Sequence, residues 1–194
     1  MGTYTVIAEA GSALVRLLRR EMVPEIIPNG DAVGLATPAD RGDLVLCIHL
    51  YDVSLSEEIR VSGMVSDGVS RQKYPPTHLT LSYLITAFSA SDVKFRSEEE
   101  QRILGRVIQV LRDCPTLNPE TMEFTAGGSR DGIRMEMQKL EAEEKSKIWS
   151  FPNLAPRLSL FYRLGPVPLE SARTREIQRV RSLQFHTEEQ GEKP

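Results

Sequence analysis

The sequence predicts a single mixed α/β domain, a sheet packed by two amphipathic helices and extended by a hairpin. Three observations carry this. The stretch "HLTLSYLITAFSA" has strand periodicity with apolar residues on both faces, which suits a strand in the middle of a sheet. "DLVLCIHLYDVSLS" and "RLSLFYRL" alternate as further strands. Two other segments repeat apolar residues at helical spacing.

The elements follow in order along the chain. Val6, Ile7, Ala10, Ala13, Leu14, Leu17 and Leu18 form one stripe of an N-terminal helix, with Glu9, Arg16, Arg19 and Arg20 mostly off it. Pro24 ends that helix near Met22. "PEIIPNGDAVGLATPADRGD" is rich in proline and glycine and reads as an irregular connection with short extended pieces. In the next strand Leu44, Leu46, Ile48 and Leu50 share a face, and the other face, with Val45, Cys47 and His49, is only partly polar. "SEEIRVSGMVSDGVSRQK" reads as a polar excursion, with Asp67-Gly68 as a turn.

The central strand opens on Pro75 and Pro76, which cost no ladder bonds if they precede it. Leu79, Leu81, Tyr83, Ile85 and Ala87 occupy one face, and Thr80, Ser82, Leu84, Thr86 and Phe88 the other. Ser97 and Glu100 have the spacing of a capping box for a second helix, whose stripe is Ile103, Leu104, Val107, Ile108 and Leu111. Pro115 closes it.

A hairpin is expected over 121–140, from "TMEFT" through "AGGSRDG" to "IRMEMQK", where Ile133, Met135 and Met137 alternate with polar residues. A short polar helix, "EAEEKSKIWS", is anchored by Ile148 and Trp149. The last strand, carrying Leu158 and Leu160, is expected to become irregular at Gly165, Pro166 and Pro168. Residues 1–170 read as the domain and 171–194 as a C-terminal arm, partly flexible.

Bulk properties narrow the function classes. A chain of 194 residues, 40% hydrophobic and 26% charged, suits a soluble globular domain. Its net charge of −3, from 24 basic and 27 acidic side chains, lacks the basic footprint of sequence-independent nucleic-acid binding. The N-terminus has neither a signal-peptide pattern nor a myristoylation signal, and no segment has the length of a membrane span, so cytoplasmic synthesis is expected. Cys47 and Cys114 lie far apart and read as thiols rather than a disulfide.

No catalytic, metal or cofactor constellation emerges. His49, His78 and His186 are widely separated, and each is better explained as a structural or surface residue. Gly127, Gly128, Ser129 and Arg130 lack the complete phosphate-loop and dinucleotide patterns and read as a hairpin turn. "SARTREIQRVRSLQFH" is locally basic but short and without an aromatic series, so nucleic acid is not the expected partner.

The order of these segments resembles the amino-terminal domain family of the tail-terminator, or cap, proteins of phage-tail-like contractile injection systems. The resembling residues are "VIAEAGSALVRLLRREM", "DLVLCIHLYDVS", "YPPTHLTLSYLITAFSA", "SEEEQRILGRVIQVLRDCPTL" and "LEAEEKSKIWSFPNLAPRLSLFYRLGPVPLES", which span Val6 to Ser171. The resemblance implies a mixed α/β subunit that forms a sixfold ring at the end of a tube and sheath, with no catalytic residues, no cofactor and no membrane anchor. It implies a cytoplasmic assembly stage and a final place at the terminus of the particle. The positions that match are fold residues: Tyr74, Pro75, Pro76, Leu79, Leu104, Gly105, Arg106, Ile148, Trp149, Leu158 and Leu160.

A ring needs protruding segments that meet neighbours. Two segments combine turns, small apolar anchors and arginines: one with Met64, Val65, Arg71 and Lys73, the other with Arg173, Arg175, Ile177, Arg179, Val180 and Arg181. They are the expected contacts with self, inner tube and sheath. The competing classes are a small metal-independent hydrolase, which would need a nucleophile and base meeting in a cleft, and a monomeric or dimeric adaptor.

Overall fold

The computed structural model describes residues 4–57, 63–66, 71–118 and 132–176. Its elements are α1 (Val6–Met22), β1 (Val33–Leu35), β2 (Leu46–Leu55), β3 (Val65–Ser66), β4 (Arg71–Lys73), β5 (Thr77–Ala87) and α2 (Val93–Asp113). After them come β6 (Thr116–Leu117), β7 (Ile133–Met137), α3 (Ala142–Ile148), β8 (Ser159–Leu169) and β9 (Thr174–Glu176). A six-stranded sheet has the order β1-β2-β5-β8-β7-β6, and a separate three-stranded sheet the order β3-β4-β9. In the large sheet only the β1–β2 pairing is parallel; the other pairs are antiparallel.

The proline-led segment is the interior strand its composition suggests. β5 pairs with β2 on one side and β8 on the other along most of its length. Pro75 and Pro76 stand just ahead of it, where their missing N–H groups break no ladder bond. Leu79, Leu81, Tyr83 and Ile85 face a core that also holds Leu14 and Leu17 of α1, Ile103, Leu104, Val107 and Leu111 of α2, and Leu160 of β8. Ile108 is partly buried at the margin of this core. Burying one such aliphatic side chain is worth roughly 1.5–3 kcal/mol before conformational entropy is subtracted.

The opposite face of β5 divides along its length. Leu84 packs with Trp149 and Phe161 in a second cluster, which Tyr51, Ile148 and Phe151 flank. Trp149, at the end of α3, thus covers the face opposite the two long helices. Thr80 stays half-buried, and Ser82 sits beside Arg163, which is exposed. Ser82 itself is buried, and Thr86 is fully buried with its hydroxyl 2.8 Å from that of Ser159, so hydroxyl residues also lie on the covered part of this face.

Three expectations change. Leu158, expected in the core, is 59% exposed: it precedes β8 and sits with Trp149 and Pro156 on the rim of a groove. Ser97 is not a helix start, because α2 begins at Val93 and Asp92 O already accepts from the amides of Phe95 and Arg96 at 2.9 and 3.0 Å. The acidic residues behind Ser97 instead hold the incoming loop: Glu99 accepts from the Ser89 and Ser91 hydroxyls, and Glu100 from Ser89 N–H at 3.2 Å and Arg157 at 2.7 Å.

β8 runs on to Leu169, and it is irregular where its glycine and prolines were expected to make it so: Leu164 pairs with Leu81 but Val167 with Leu79, a register shift across Gly165 and Pro166. Beyond Gly165, where β7 stops pairing, β5 is its described partner. The third change concerns the hairpin. Its second arm is β7, but the partner described for β7 on the outer side is β6, directly after α2. The first arm, "TMEFT", and the Gly127–Arg130 turn lie outside the described residues.

Candidate functional site

The two protruding segments meet in the small sheet. β4 comes from the first and β9 from the second, about a hundred residues later, and they pair antiparallel with Arg71 opposite Glu176, Gln72 opposite Arg175 and Lys73 opposite Thr174. β3 joins the other side of β4, with Val65 opposite Lys73. Sequence periodicity could not link them, since strands of two or three residues carry no period.

None of the eight residues in these strands is buried. Val65 is 45% exposed, Arg71, Thr174, Arg175 and Glu176 are exposed, and Gln72 and Lys73 are half-buried; neighbouring Met64 is also half-buried. Ile177, Arg179, Val180 and Arg181 lie outside the described residues.

Side chains reinforce the junction where the ribbon leaves the domain. The Arg173 guanidinium lies 4.7 Å from the centroid of the Tyr74 ring, and Tyr74 N–H donates to Arg173 O at 3.3 Å. Lys73 Nζ is 3.7 Å from a Glu170 carboxylate oxygen. The sequence marked Tyr74 only as a fold position of the resembling family, and did not mark Glu170.

The basic residues Arg71, Lys73, Arg173 and Arg175 outnumber the acidic Glu170 and Glu176 here, in a chain whose net charge is −3. Such an arrangement offers directional hydrogen-bond donors and local positive charge.

The histidines described occupy separate places. His49 packs edge-on against Phe151 with ring centroids 5.5 Å apart, and burial lowers its pKa below the ordinary histidine value. His78 lies in β5, with its pKa also lowered by burial. His49 pairs in register with Leu84 and His78 with Pro168, so the strands do not bring them together. His186 is outside the described residues. Cys47 is a buried free thiol whose Sγ donates to Ala36 O, with its pKa pushed up to about 11 by desolvation. A thiol held that far up is a poor nucleophile near neutral pH. Among the described residues no group of His, Cys, Asp or Glu is arranged to hold a metal ion, and no helix is long and apolar enough to cross a membrane.

Two depressions flank the second face of the large sheet. One, of about 420 Å³, is polar and lined by Ser54, Ser56, Glu57, Thr80 and Arg163. The other, of about 330 Å³, is mostly apolar and runs past Trp149, Pro156, Leu158 and Phe161.

Comparison with known proteins places this architecture. No curated protein matches the chain in sequence. Among solved structures it is similar to the sheath/tube terminator of the PVC extracellular contractile injection system in its extended state, with a TM-score of 0.68 and 18% identity. That match covers 98% of this chain and 66% of the terminator. It is also similar to the tube-terminating cap of the anti-feeding prophage, with a TM-score of 0.65 and 21% identity over 92% of this chain and 60% of the cap. The chain thus spans about two thirds of the length of either protein, and the likeness is one of fold. The family model of the Pvc16 N-terminal domain matches residues 9–182, almost the whole α/β unit together with the small sheet, and the chain belongs to that family.

Proposed function

We propose that this chain is a structural subunit that ends the tube and sheath of a contractile injection system, acting without catalysis. The observation that carries this reading is the fold shared with a sheath/tube terminator and a tube-terminating cap over 92% or more of the chain. In this role it works as a ring, sixfold, touching itself, the inner tube and the sheath. It assembles in the cytoplasm and remains at the end of the particle.

The physical design supports such a role. A closed ring is built head to tail, so each subunit must present two different surfaces from one rigid body. The large sheet with α1 and α2 supplies the rigid body, and the small sheet stands away from that core with no residue buried. Residues 1–170 form the working domain in this reading, and 171–194 an arm whose described strand is β9.

Length control tests the function. Particles produced without the chain should have tubes of heterogeneous length, and supplying the chain should restore one length. A uniform tube length in its absence would remove the capping role. A restored length that required a turnover-competent nucleophile would instead support the hydrolase reading.

A further inference from the structure

The two sheets treat their edges differently. At the β1 edge of the large sheet the outward groups of Val33 are occupied. Arg19 donates from Nε and Nη2 to Val33 O at 3.0 and 2.7 Å, and Val33 N–H donates to Gly30 O. A short edge with its carbonyl filled by an arginine is a familiar protection against pairing with another chain. The β9 edge has no such cover among the described residues. Because Tyr74 N–H donates to Arg173 O, antiparallel alternation turns the N–H and C=O groups of Thr174 and Glu176 away from β4. All three β9 residues are exposed.

The small sheet also lacks the usual source of stability. Sheets of few strands need one apolar face packed against something, and among the described residues of this one Gln72 and Lys73 are half-buried and the rest exposed. Its surroundings are basic, with Arg175 in the middle of β9 and Arg71 and Arg173 beside it, against Glu170 and Glu176.

We propose that the free edge of β9 takes up an extended acidic segment of a neighbouring protein, which pairs with Thr174 and Glu176 as a fourth strand of the small sheet. Backbone pairing supplies the attachment, and a carboxylate across from Arg175 supplies the selectivity. The proposal rests on the chain being an assembly subunit, and it is independent of ring symmetry and of tube length.

The test uses the full chain and labelled octapeptides, read by fluorescence anisotropy. An alternating Glu–Val peptide should bind. An alternating Lys–Val peptide should bind at least about tenfold more weakly, and raising the salt from about 0.05 M to about 0.5 M should weaken the Glu–Val complex. Methylating alternate amides of the Glu–Val peptide should abolish binding without any change to the protein. Thr174→Pro should also abolish it, since the lost N–H points outward and carries no bond to β4. Arg175→Glu should reduce binding at least about tenfold.

Equal binding of the Glu–Val and Lys–Val peptides would overturn the acidic partner. Unchanged binding by the methylated peptide would overturn strand addition. Self-association of the chain that Thr174→Pro abolishes would assign the edge to a second copy and overturn the proposal as well. Capping is judged separately: a chain that binds the peptide but leaves tube length unregulated would keep this site and lose the cap function.

Discussion

Leu81 sits at 0% exposure in the middle of β5, between the β2 and β8 ladders and beneath the helices. Its neighbours are held by two ladders and cannot move in to fill a gap, so Leu81→Ala should cost about 2–5 kcal/mol in chemical denaturation. A cost below about half a kcal/mol would contradict the packing. The histidines give a pH signature. Burial lowers the folded pKa of both His49 and His78, so the unfolded chain takes up protons that the folded chain refuses. Their contribution is therefore complete above an ordinary histidine pKa of about 6.5, and it is lost as pH falls from there through the lowered folded values. His49→Gln should flatten the stability profile in that window. An unchanged slope would show that His49 is equally protonated in both states.

At the scale of elements, the start of α2 separates two ways of reading the same acidic run. Ser97 and Glu100 have the spacing of a capping box, yet the helix starts four residues earlier and the two side chains have unrelated roles. Ser97 is exposed, so Ser97→Ala should shift stability by no more than about half a kcal/mol, where loss of a true N-cap costs about 1 kcal/mol. Glu100, 14% exposed, bonds both Ser89 N–H and Arg157, whose guanidinium also lies 5.0 Å from the centroid of the Phe88 ring. Glu100→Ala should cost about 1–3 kcal/mol, because it strips a charged partner from two donors. Thermal unfolding of the two variants side by side decides between the readings. If Ser97→Ala were the more damaging, α2 would begin where the sequence pattern put it. The long elements were legible because each repeats its apolar residues several times: α1 ends at Met22 as Pro24 predicts, and β5 fills the span after the double proline. The capping box misled because a four-residue motif fits a helix interior as well as a start. The small sheet was invisible for a related reason. β3, β4 and β9 are too short to show alternation, and their pairing across a hundred residues is a tertiary fact. Composition nevertheless marked both of its segments as surface, and the described residues of the small sheet are exposed or half-buried.

At the scale of the molecule, the chain combines a rigid core with an exposed appendage, and the division suits a subunit that must keep its shape while held by others. The two long helices cover one face of the large sheet, and α3 covers only the half of the other face around Trp149. The overall plan was readable from the order of segments, whereas Leu158 was misplaced because a strand's alternation says nothing about where its covering layer ends. Reconstruction of the assembled tail end by cryo-electron microscopy bears on the proposed role most directly. The predicted result is one terminal ring of six copies, closing tube and sheath, with the β3-β4-β9 ribbon buried against another chain. A single copy bound beside an otherwise open tube would contradict it.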